Sequence, residues 1–267
     1  MNASPAAPAW RTDLKVAAVL ALAGALATAA LFPYLLQLMP DKLSSLPVPL
    51  WVLVAAQMLQ ALVLLGALSL LGLRMGHRVG LGAPLLHAWL GDKPTAQSAR
   101  RTQPWLAIAL GAGSAVLVVL AMQWTDPLLP AMRNPPAHGD AAASALNGLL
   151  ASFYGGIAEE LQLRLFLMTL MVWFVARLRQ RMPGDATFHV AIVLAAVLFG
   201  VGHLPAAAHI WGLDATVVLR TIALNAVVGI ACGWLYWRRG LEMAILAHFS
   251  ADIVLHVLVP LLGNSAP

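Results

Sequence analysis

Residues 157–178 read IAEELQLRLFLMTLMVWFVARL. A continuous apolar run of this length crosses a membrane as a helix, because about 20 residues cover the hydrocarbon core. Yet this run holds Glu159, Glu160 and Arg164. On insertion scales a charged side chain at the centre of a span costs about 2.5–3.5 kcal/mol. The whole sequence contains three glutamates, and the third, Glu242, lies at the edge of another apolar run. Two of three therefore sit side by side where lipid is expected, which marks them as groups in use.

The rest of the chain has the same character. It is 61% hydrophobic and 10% charged over 267 residues, against about 25% charged in soluble domains. The apolar runs do not alternate, so they form helices and not barrel strands. Spans are predicted at about 14–38, 48–73, 105–124, 157–178, 187–204, 216–237 and 241–261. The expected fold is an all-α polytopic transmembrane bundle of seven spans, a single integral-membrane domain over 1–267 with a catalytic core at about 141–261. The small-residue stretch 141–156 is left open as a half-span, an interfacial helix, an eighth crossing or an extension of the fourth span.

Lysine and arginine give the orientation. Twelve lie at the N-terminus and in alternate loops: Arg11, Lys15, Arg74, Arg78, Lys93, Arg100, Arg101, Arg177, Arg179, Arg181, Arg238 and Arg239. The intervening loops hold Lys42, Arg133 and Arg220. That pattern expects a cytoplasmic N-terminus, and it explains the net charge of +5 without any nucleic-acid partner. Trp51, Trp105, Trp124, Trp173 and Trp237 fall near span ends, as interfacial anchors do. Residues 81–89 suggest a short helix on the cytoplasmic surface. Arg11 and Lys15 before an apolar run resemble a signal peptide, but the run continues to Leu38, so a retained first helix is expected. The single cysteine, Cys232, excludes an internal disulfide and reads as a packing thiol.

Three spans carry polar pairs four residues apart, which share a helix face: Glu160 with Arg164, Phe199 with His203, and His248 with Asp252. Glu159 is rotated about 100° from Glu160, so the two carboxylates divide the work. Arg164 neutralises Glu160 as a brace, and Glu159 is left free as a general base. Two mechanisms fit. Glu159 and His203 polarise a water while His248 and its neighbour stabilise the oxyanion, or Zn²⁺ held by carboxylate and imidazole, with Glu159, His203 and His248 as candidate ligands, activates the water. Asp252 bears on the choice, since an ionised aspartate cannot donate to an oxyanion; it orients His248 or binds a metal. There is no H-E-x-x-H motif, which excludes a conventional zincin. Asn225 is assigned an interhelical hydrogen bond and His256 packing. No role is given to His77, His87, His138, His189 or His209.

The ordered set Glu159-Glu160-x-x-x-Arg164, Phe199-x-x-x-His203 and His248-x-x-x-Asp252 resembles the CPBP family of intramembrane endopeptidases, which includes CAAX prenyl proteases of the Ras-converting type and bacteriocin-processing proteins. The resemblance covers about 141–261. It implies peptide-bond hydrolysis in or near the membrane, with Glu159 as the water-activating base, His203 its partner, and Glu160, His248 and Asp252 completing the site. Gln162-Leu163 departs from the aromatic or apolar pair of many relatives, which bears on the pocket lining. The implied setting is a bacterial plasma membrane, and the implied partners are lipids and a protein or peptide substrate, lipidated in some members. Two other functions are compatible with such residues: a proton-coupled transporter, although no internal repeat supports one, and a non-catalytic scaffold or immunity protein of the same fold.

Overall fold

A computed structural model describes residues 10–91, 102–137 and 140–263. Lys93, Arg100, Arg101 and His138 lie outside the described residues. Seven helical stretches are long and apolar enough to cross a membrane: α1 (Trp10–Leu38), α2 (Leu50–Gly76), α4 (Pro104–Leu128), α5 (Ala141–Arg179), α6 (Asp185–Trp211), α7 (Ala215–Arg239) and α8 (Leu241–Leu261). A short helix, α3 (Pro84–Leu90), follows α2. No strand occurs among the described residues. The protein is an integral, multi-pass, all-α membrane bundle, as its composition requires.

The open question at 141–156 resolves as an extension of the fourth span. Asp140 starts α5 by accepting a hydrogen bond from the Ala143 amide at 2.6 Å, the usual role of an aspartate at a helix start. The chain then stays helical to Arg179. At 39 residues α5 is about twice the length a bilayer requires. Read from 157, Glu159 sits at the end of its span; read from Ala141, it sits near the middle. This places it at a depth His248 can reach.

Within the bundle α1 packs on α2, α6 on α7, and α8 on α4 and α7, while α5 crosses α1, α2 and α8. Val16, Leu73, Leu161, Leu165, Met168, Leu235 and Leu241 are fully enclosed. Leu26, Leu59, Val63, Leu117 and Leu219 are exposed on the outside, where lipid is the solvent. Apolar side chains gain little from facing each other rather than lipid, so such bundles depend on close approach at small residues. Accordingly, a Cβ at Gly72 would meet the Leu165 backbone, one at Gly111 the Ala247 backbone, and one at Gly148 the His256 backbone. Trp51, Trp105 and Trp124 are largely exposed, consistent with anchoring at an interface. Trp237 is instead stacked on Phe188 at 4.8 Å.

The short helix predicted at 81–89 is α3, and Glu242 holds it. One Glu242 carboxylate oxygen accepts from the amides of both Leu85 and Leu86, at 2.9 Å each, and the Leu241 amide donates to the Gly82 carbonyl at 3.0 Å. Charge-assisted bonds to free helix-start amides are the stronger kind. Glu242→Ala is expected to lower stability by about 1–2 kcal/mol and to expose the 77–91 segment to proteolysis. Limited proteolysis beside a thermal melt in detergent measures both; a variant as resistant as wild type contradicts the anchoring role.

Candidate active site

The third glutamate thus serves structure, and the paired glutamates face one another's partners deep in the bundle. Two π-helical segments, Tyr154–Glu159 and Leu161–Met168, flank Glu160 in α5, and a third, Ile253–Leu258, follows Asp252 in α8. Wide turns of this kind are rare and concentrate at functional sites. Here they bracket the acidic residues of both helices.

Glu160 and Arg164 are wholly enclosed and form the expected ion pair, with Oε1 2.7 Å from Nη1. Arg164 also donates to the Gly229 carbonyl of α7 at 3.1 Å, and its guanidinium lies 5.2 Å from the centre of the Phe199 ring. One cation therefore ties α5, α6 and α7 together. The same Glu160 oxygen lies 2.7 Å from Nδ1 of His248. A carboxylate paired with arginine accepts, so Nδ1 donates. Glu160 is thus more than a brace: it fixes the ring orientation of His248 and its Nδ1 proton. The sequence offered Asp252 for that task, but Asp252 lies against the other nitrogen, 3.8 Å from Nε2.

His248 Nε2 faces two carboxylates, Asp252 and, at 3.7 Å, Glu159. These separations exceed a hydrogen bond and leave room for a small species between the groups. The Glu159 side chain is 22% exposed and that of Asp252 12%, against 3% for His248. Glu159 is therefore the acid reachable from outside, as the division of roles in the sequence required. Gly155 makes this space: a Cβ there would collide with Asp252 Oδ2 and press on His248 Nε2. Gly155→Ala is expected to insert and fold, with its catalytic rate reduced at least tenfold by displacement of Asp252; turnover of a cleaved peptide by the purified variant checks this, and wild-type rates would show that the spacing is not required.

His203 comes from the bend in α6. Its Nδ1 lies 2.9 Å from the Phe199 carbonyl, which can only accept, so in the neutral ring Nε2 carries the lone pair. Phe199 is buried and touches both imidazoles edge-on, with centroids 4.7 Å from His203 and 5.3 Å from His248. The rings of α6 and α8 are thus set around one aromatic wall. Asn225 does not bridge helices; its side chain donates to Thr221 of its own helix at 2.8 Å. His256 packs on Tyr34 at 5.5 Å.

Glu160, Cys232 and His248 are the residues here whose ligand atoms fall within 4.8 Å of one another. Cys232 is fully buried beside the ion pair, a placement that a lone thiol among small apolar residues did not signal. Gly155 and Gly229 were likewise unreadable, since their work lies in what they leave free. For a metal, the relevant observation is His248: with Nδ1 held by a carboxylate, Nε2 is the available ligand atom, and carboxylates orient metal-binding histidines in this manner. The donor set fits zinc.

A multi-pass bundle with carboxylates, imidazoles and an enclosed arginine gathered at mid-depth defines an integral membrane protein with an ionisable site inside its helices. Residues 141–254 match the family model of type II CAAX prenyl endopeptidases, Rce1-like. The matched segment begins where α5 begins and contains all three motifs, so this part of the chain is a domain of a protease family. No curated protein and no solved structure matches the chain.

Proposed function

We propose that this protein is an intramembrane endopeptidase that hydrolyses a peptide bond of a membrane-associated protein or peptide. The supporting observation is the position of His248, locked by Glu160 through Nδ1 and facing Glu159 and Asp252 through Nε2. Glu159 takes a proton from a water molecule whose other hydrogen is held by Nε2 of His203. The oxygen attacks the carbonyl carbon of the scissile bond. His248, in its doubly protonated form, donates through Nε2 to the oxyanion that develops, and ionised Asp252 balances that charge; oxyanion donors of this type are among the largest contributions to acyl-transfer catalysis. The proton on Glu159 then passes to the leaving amine as the C–N bond breaks. Zn²⁺, if bound, would be held by residues drawn from Glu159, His203, His248 and Asp252 and would supply Lewis-acid activation of the water.

The excess of basic residues at one face places the N-terminus in the cytoplasm, and a bacterial plasma membrane suits the chain. Lipids surround it, and its substrate is a protein or peptide, lipidated or not, that reaches Glu159 at its exposed edge. The test is cleavage by the purified protein in lipid nanodiscs, with new termini identified by mass spectrometry. Wild type is expected to generate defined products and His203→Ala none. Equal products from His203→Ala would overturn the assignment.

A further inference from the structure

A second group of ionisable side chains lies at the basic end of the bundle. Asp13 of α1 is fully enclosed, and one of its oxygens, Oδ1, is 2.8 Å from Nε2 of His77 and 2.8 Å from Nε2 of His87. The histidines come from the end of α2 and from α3, so three segments send one donor each to one point. The ligand atoms all lie within 4.8 Å of one another. The two histidine side chains are 13% and 14% exposed, and a groove of about 460 Å³ lined by Arg74, His77, Arg78 and Trp173 among others opens beside His77.

The hydrogen bonding of His87 is what needs explaining. Its Nδ1 is 2.8 Å from the Ala83 carbonyl. A carbonyl accepts, so Nδ1 carries the proton, and a neutral imidazole then points the lone pair of Nε2 at a carboxylate oxygen. Lone pair against anion is repulsive, and a cation between them turns the contact into two bonds. An Nδ1–H to a backbone carbonyl with Nε2 turned inward is the usual posture of a metal-binding histidine. One carboxylate and two imidazoles, with a fourth position left for water, is a common donor set for zinc. Arg74 holds the other Asp13 oxygen at 2.8 Å and also lies 5.0 Å over the Trp10 ring, so it keeps a resting place if a cation draws on Asp13. A zinc ion here also requires the donors to spread slightly, which the partly exposed histidines allow.

We propose that Asp13, His77 and His87 form a divalent transition-metal site, with Zn²⁺ the expected occupant, separate from the Glu159–His248 site and serving to staple α1, α2 and α3 at the basic face. The proposal does not depend on the proteolytic reading. The experiment uses full-length protein in detergent, stripped with chelator, its folded state checked by size-exclusion elution. Zn²⁺ is titrated by calorimetry, and Co²⁺ is followed by its visible absorption. Glu159→Gln protein is expected to bind one equivalent and to gain thermal stability with Zn²⁺. His77→Gln, His87→Gln and Asp13→Asn, each in that background, should bind at least about tenfold more weakly, as loss of metal-site residues does. Failure of folded Glu159→Gln protein to bind either ion overturns the proposal. So does a bound equivalent that survives both histidine substitutions.

Discussion

Glu159→Gln protein is expected to insert, fold and melt as wild type does while losing peptide cleavage by about 10²–10⁴-fold, the range a positioned general base contributes. Both halves of that expectation come from the surroundings of the side chain. Its nearest charged neighbour is His248 Nε2, at 3.7 Å, so no close hydrogen bond is lost when the carboxylate becomes an amide of the same shape. What is lost is the ability to accept a proton from water. The measurement is product formation by mass spectrometry beside a thermal melt of the same preparation. Cleavage at the wild-type rate would remove Glu159 from the chemistry. The competing functions give other signatures: a scaffold keeps its cellular phenotype with glutamine in place, and a proton-coupled transporter loses ion flux without ever yielding a peptide product.

Arg164→Ala should produce the largest loss of stability, about 3–5 kcal/mol, because removing one member of an enclosed pair strands the other's charge. Glu160 is wholly enclosed and would keep only His248 Nδ1 as a partner. The Gly229 carbonyl would lose its donor and Phe199 its cation. A melting temperature lower by on the order of ten degrees is expected. Arg164→Lys should recover part of it, since a lysine keeps the charge but not the fork that reaches both Glu160 and Gly229. Activity should fall further than stability alone accounts for, as His248 loses the fixed carboxylate that sets its ring. An Arg164→Ala protein that melts like wild type would refute the brace.

The spans and the three polar pairs were legible because both signals are local. Hydrophobic length identifies a helix in lipid, and i, i+4 spacing puts Glu160 beside Arg164 whatever the rest of the chain does. The depth of Glu159 was not legible from its own apolar run. It depended on residues 141–156, whose small side chains gave no periodic pattern, continuing straight into the fourth span. The role of Glu160 was half legible: its link to Arg164 lies within one helix, whereas its bond to His248 spans 88 positions and needs the fold. Asp13, His77 and His87 lie at span edges with no motif linking them, so only the packing of α3 against α1 brings them to one oxygen. Asn225 was misread for the converse reason, since a helical carbonyl one turn away was a nearer acceptor than any neighbour.

The wide turns in α5 carry a consequence for how the chain tolerates changes in length. Each such turn holds one residue more than the helix around it requires. Removing a single residue between 161 and 168 would let that stretch relax to ordinary winding, leaving hydrophobic thickness and helical content nearly intact. Everything beyond the deletion would swing about 100° around the axis relative to Glu159 and Glu160. Single-residue deletion scanning of this segment should therefore separate insertion from chemistry, giving proteins that reach the bilayer in normal amount with their acidic pair and their downstream packing face out of phase.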